Sequence, residues 1–132
     1  MSIKWVEIMK NRLFRFWYYT VSHAQALLRS VGKDDEENID IYFGGVSYLE
    51  IPEEIDGLEI KEPSASDKEY IAGKTGNFRP QDKITVLVHG GQKYYIVSSA
   101  VKIMKNKLES YELPFDIPSD MGGIFYRLED KN

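Results

Sequence analysis

His23 and His89 are the two imidazoles of the sequence, so they are its natural candidates for a general base or a metal ligand near neutral pH. A histidine base with Ser22 or Ser98 as nucleophile would be needed for acyl transfer, but neither serine lies in a Gly-x-Ser-x-Gly elbow. Two histidines plus a carboxylate can hold a metal. There is no His-Glu-x-x-His spacing, and nothing in the sequence sets His23 beside His89. The expectation is therefore a hydrogen-bonded, structural His23 and an exposed His89 in a turn, with no metal, no cofactor and no catalytic residue. Cysteine is absent, which excludes a thiolate metal site, a disulfide framework and a cysteine nucleophile.

Two glycine patterns invite a nucleotide reading and fail it. Ala72-Gly73-Lys74-Thr75 ends like a phosphate-binding P-loop, but that motif needs a glycine five residues before its Gly-Lys pair, where Lys68 stands. Gly44-Gly45, Gly90-Gly91 and Gly122-Gly123 do not open helices after strands, as a dinucleotide fingerprint must. Nine tyrosines and two tryptophans offer rings for stacking, yet an isoelectric point near 5.2 argues against a nucleic-acid partner. If the chain binds a small ligand or acts as an enzyme, the pocket is expected near Trp17, Tyr19, His23 and Tyr48.

Charge is the stronger signal. The net charge of −4 hides blocks of +5 over residues 1–33, −11 over 34–72, +6 over 73–108 and −4 over 109–132. Such asymmetry either cancels across neighbouring strands or marks an interaction surface. The acids expected to meet a basic protein partner are Asp34, Asp35, Glu36, Glu37, Glu50, Glu53, Glu54 and Glu59. Opposite potentials speed encounter and select partners.

The elements that must position these residues read mainly as strands in a single domain spanning 1–132, a length that buries enough core to fold without staples. Five of the six residues from Phe14 to Tyr19 are aromatic, so Leu13 to Val21 reads as a central strand. Ser22-His23 is a turn, and Ala24 to Val31 a second strand. Ile39, Ile41 and Phe43 alternate with Asp40 and Tyr42, the period of a half-buried strand expected to run over 38–51 with a bulge at Gly44-Gly45. A short strand follows at 58–62. Residues 62–82 read as a loop with a short strand near Tyr70 to Ala72. The clearest hairpin joins 84–88 to 93–98 through His89-Gly90-Gly91-Gln92. Val101, Met104 and Leu108 stand at i, i+3 and i+7, which predicts an amphipathic helix over about 99–110. A short helix is expected within Ser2 to Lys10, and a last edge strand at Ile124 to Leu128. The fold class is thus α+β, a mainly antiparallel sheet, sandwiched or partly rolled, with one helix packed on it.

The layout Trp17-x-Tyr19-x-Val21-Ser22-His23, Leu27-Leu28-Arg29-Ser30, Asn38-Ile39-Asp40-Ile41, Gly45-Val46-x-Tyr48 and Pro52 resembles small uncharacterised bacterial proteins, some of them similar to immunity proteins of toxin systems. The resemblance covers roughly the first half of the chain and carries over no catalytic residues. The first ten residues show no signal-peptide pattern, and no stretch approaches the ~20 apolar residues of a membrane span. A cytoplasmic, non-enzymatic binding domain is the expectation, with a ligand binder or enzyme built on the pocket named above as the alternative.

Overall fold

The computed structural model describes residues 9–76 and 79–115. The described chain builds nine strands and one complete helix: β1 Leu13–Thr20, β2 Gln25–Ser30, β3 Asn38–Gly44, β4 Tyr48–Glu50, β5 Glu54–Asp56, β6 Glu59–Lys61, α1 Ala65–Thr75, β7 Lys83–His89, β8 Gln92–Ser98 and β9 Ala100–Asn106. They form two sheets, ordered β5-β1-β2-β3-β9 and β4-β8-β7-β6, and every strand pair is antiparallel.

Alternation along the strands explains why two sheets stack. Phe14, Ala26, Leu28, Ile39, Ile41 and Phe43 leave the first sheet on one face and join Leu87 and Ile96 from the second in one buried core. Side chains one residue out of phase therefore populate the two outer faces. Each outer face has its own cover. Ile71 of α1 packs on Val86, Tyr95 and Val97 of the second sheet. The segment after β9 crosses the first sheet, where Leu113 meets Leu27, with Trp17, Tyr18, Tyr42 and Phe115 around them.

Two of the corners at which the chain passes between sheets, after β3 and before β9, lock together. Gly45 adopts φ +63°, and a Cβ there would collide with the Ser99 hydroxyl. Ser99 N and Oγ both donate to Gly44 O, at 3.0 and 3.1 Å. The strand expected over 38–51 is thus broken into β3 in one sheet and β4 in the other.

The helix expected over 99–110 is a strand. Residues 100–106 pair with β3 along its whole length, from Asn38 opposite Asn106 to Gly44 opposite Ala100. Val101 and Ile103 pack on the inner core, in phase with Phe43 and Ile41, so the residues obey period 2. The open edge of β3 decides the matter: pairing satisfies seven residues of backbone, and the helical spacing of Val101, Met104 and Leu108 is incidental. The only complete helix among the described residues lies instead in 62–82, expected to be a loop, and it takes in Tyr70 to Ala72. Ser64 caps it: Asp67 N donates to Ser64 Oγ at 3.1 Å, while Ser64 N donates to Asp67 Oδ2 at 2.9 Å. Of the helix expected within Ser2 to Lys10, only Met9 and Lys10 are described, and both are helical. The strand expected at Ile124 to Leu128 lies outside the described residues.

Candidate functional site

The β2–β3 turn carries the densest charge. Asp34 sits at φ +55°, in the left-handed region that aspartate tolerates better than most residues. Glu36 N donates to Lys33 O at 2.9 Å, and Lys33 N donates to the Glu36 carboxylate at 3.2 Å. Gly32 N donates to Asn38 Oδ1 at 3.0 Å. Arg12 ties the turn to the sheet, with Nε donating to Ser30 Oγ at 2.9 Å and Nη2 to Ser30 O and Glu37 O at 3.0 and 3.1 Å. Asp34, Asp35, Glu36 and Glu37 are all exposed, and among the described residues none of them is in an ion pair. A fixed backbone thus presents four carboxylates to water.

The other expected contact residues divide. Glu53 and Glu54 belong to the same end of the first sheet, because β5 pairs with the start of β1 and the turn follows the end of β2. A cleft of about 550 Å³ there is lined by Glu36 and Asp56 together with Arg12, Arg15 and Lys33. Glu53 is exposed. Glu54 is paired with Arg15 at 3.1 Å, and Glu59 with Lys10 at 3.6 Å. Glu50 lies in the second sheet and accepts hydrogen bonds from Tyr48 at 2.6 Å and Tyr70 at 2.9 Å. The hydrogen bond that Tyr48 donates to the charged Glu50 pushes its hydroxyl up to about 12, with burial adding to it. The structure therefore gathers the acids at 34–37 and 53–56, and leaves Glu50 and Glu59 elsewhere.

Among the described residues, Trp17, Tyr19, His23 and Tyr48 are not brought together. A bulge in β1 between Phe16 and Tyr18 puts Trp17 on the outer face of the first sheet. Tyr48 lies on the outer face of the second sheet, with the core between them. Tyr19 is exposed, and His23 is an exposed turn residue whose Nδ1 lies 3.1 Å from Ser22 Oγ. His89 Nδ1 donates to Gly57 O at 2.8 Å. Among the described residues, no three His, Asp or Glu stand together as a metal site.

Two buried polar clusters escaped the sequence reading. In the first, Arg29 and Asp40 form a two-pronged ion pair at 2.7 and 2.9 Å, with side chains 1% and 0% exposed. Asn106 Nδ2 donates to Asp40 at 2.8 Å. The covering segment closes the cluster with carbonyls: Arg29 donates to Glu109 O and Glu112 O, Trp17 Nε1 to Ser110 O, and Asn38 to Leu108 O. The Trp17 ring lies 5.4 Å from the guanidinium. A signal did exist. Arg29 stands two residues before the 31–38 connection and Asp40 two residues after it, so hairpin register makes them opposite partners.

In the second cluster, Asp67 Oδ1 accepts from Lys93 at 3.0 Å and Tyr95 at 2.8 Å. The Ser64 backbone N–H, then Lys93 and Tyr95, hold its carboxyl well below the usual carboxylate range. Burial, then the Asp67 carboxylate, pushes the Tyr95 hydroxyl up to about 12. The Ser64-x-x-Asp67 capping pattern was its sequence signal.

An open groove of about 1170 Å³ lies beside β6, between α1 and β9. Ile60, Ile84, Val101 and Ile103 are apolar on its lining, and Lys61, Lys68, Lys83, Glu62, Glu69 and Asp82 are charged.

Compared with family models, with curated proteins and with solved structures, the chain matches none. Among the described residues, no helix is long and apolar enough to cross a membrane.

Proposed function

We propose that this α+β sandwich is a non-enzymatic protein-binding domain, of the immunity or adaptor kind, whose acidic end meets a basic protein partner. One observation carries the reading. The Asp34–Glu37 turn is fixed by hydrogen bonds from Arg12, Gly32 and Lys33, yet its four carboxylates face water without an ion-pair partner among the described residues. A preset array of like charge costs little ordering on binding and attracts an opposite surface over a Debye length. Asp56 of β5 extends that surface into the adjoining cleft, and Glu53 is exposed on the approach to the same edge strand. Glu54 contributes less, because Arg15 already neutralises it. The chain's own basic residues nearby select against a uniformly basic partner surface, since Arg15 and Lys33 flank the acids.

The test is a pull-down from the source cell with the wild type and with the D34N/D35N/E36Q/E37Q variant. A basic protein should be retained by the wild type at low salt, released near 0.5 M NaCl, where the Debye length is roughly 4 Å, and lost from the variant. Retention of the same proteins by both forms at both salt concentrations would remove the reading.

A further inference from the structure

We propose that α1 is a detachable lid that opens from the second sheet as a unit while the sandwich beneath it stays folded. An isolated helix of 11 residues is marginal in water, so α1 depends on what holds it to the sheet. Its interior Gly73 weakens it further, and a Cβ at that position would meet nothing within 4 Å, so packing does not require the glycine. Only Asp67 and Ile71 of the helix are buried. Ile71 is thus the sole buried apolar anchor, set against Val86, Tyr95 and Val97.

Of the remaining polar attachments, the hydrogen bond from Tyr95 to Asp67 is buried, while the other two each have a partner in reach of water. Lys93, bonded to Asp67, keeps 43% of its side chain exposed, and Tyr70, bonded to Glu50, is 41% exposed. Water can replace such bonds at small net cost. The capping box does not resist opening, because Ser64 and Asp67 travel together with the helix. The chain on the far side pivots at Gly76, which has φ +78° and open space around it. The sandwich is held in another way: its core buries Phe14, Leu28, Ile39, Ile41, Phe43, Leu87 and Ile96 between paired strands. Segments with few buried apolar contacts open at lower free energy than such a core. Because Lys68, Glu69 and Ala72 of α1 line the open groove, lifting the helix joins that groove to the apolar face of Ile84, Val86 and Val88.

Native-state hydrogen exchange on the full chain, followed by NMR with increasing sub-denaturing urea, tests this. The amides of α1 should show protection lower than those of β2, β3 and β8 by about 100-fold or more, with little dependence on urea. Tyr70→Phe, which removes only the hydroxyl bonded to Glu50, should raise exchange in α1 several-fold and leave the β2 and β3 amides unchanged. Asp67→Asn should do the same more strongly. Protection of α1 that equals that of β2 and β3 and follows the same urea dependence would overturn the proposal. So would a Tyr70→Phe effect spread equally over helix and sandwich.

Discussion

The outer faces of the two sheets are covered in different ways, and each cover is fastened to a buried carboxylate. On the first sheet, Asp40 is held by Arg29 and Asn106, and the segment after β9 seals the pair with its own carbonyls. On the second, Asp67 sits on the cover itself and reaches down to Lys93 and Tyr95. The first pair is wholly desolvated, whereas Lys93 is nearly half exposed. The contrast teaches where a charge pair fixes structure and where it only fastens a cover. In a dry setting, losing one partner strands the other, and the penalty is the full desolvation cost. With a wet partner, solvent takes over much of the lost bond.

The largest effect should come from breaking the dry pair. Arg29→Ala leaves Asp40 buried and unmatched, and should cost about 3–5 kcal/mol in urea unfolding. Replacing both, with Met at 29 and Leu at 40, should recover most of that loss, because apolar partners of similar volume often match a buried ion pair. A single-variant cost below about 1 kcal/mol would erase the distinction between the two covers.

Trp17→Ala comes next. A fully buried indole would cost about 3–5 kcal/mol. Trp17 is only half-buried, but it also donates to Ser110 O and faces Arg29, so about 2–3 kcal/mol is expected. If Arg29→Ala is already present, the further loss should be smaller, and a double-mutant cycle measures that coupling.

The second cover is probed by pH. The folded-state carboxyl of Asp67 lies below its unfolded value near 3.9, so its contribution is present in full above that value. It declines as the pH falls from about 4 toward the folded value. Asp82 is shifted the same way by hydrogen bonds from Arg79, so it adds to the same acid limb. Unfolding curves from pH 6 to pH 2 should therefore show a decline that Asp67→Asn makes shallower. At the alkaline end, Tyr48 and Tyr95 should ionise near 12, seen as late tyrosinate absorbance. Their raised values stabilise the fold below about 10, and that contribution fades as the pH rises toward 12.

The smallest effect concerns the acidic turn. Four like charges with no ion pair among the described residues repel one another, so added NaCl up to about 0.5 M should stabilise the isolated domain slightly by screening. The D34N/D35N/E36Q/E37Q variant should melt a little higher than the wild type at low salt. Salt-induced loss of stability in the wild type would mean that the acids are neutralised within the fold.

Alternation and turn chemistry by themselves determined much of the sheet. The 84–88 and 93–98 hairpin, the strand from Ile39 to Phe43 and the Ser22-His23 turn were all readable, because neighbouring residues set them, although that strand, expected to be half-buried, is buried on both faces, Asp40 included. The antiparallel α+β class followed from the same local signals. Tertiary structure decided what local signals left open. Residues 100–106 satisfy a helical spacing and a strand spacing about equally well, and the free edge of β3 chose between them. Glu54–Asp56 is too short to announce itself as a strand and exists because β1 offers it an edge. Likewise, eight acids clustered in sequence became one gathered group plus scattered members, since consecutive strands passed into different sheets at Gly45. A charge pattern along a chain says which residues repel or attract. Only the folded backbone says which of them are within a Debye length of each other and in water.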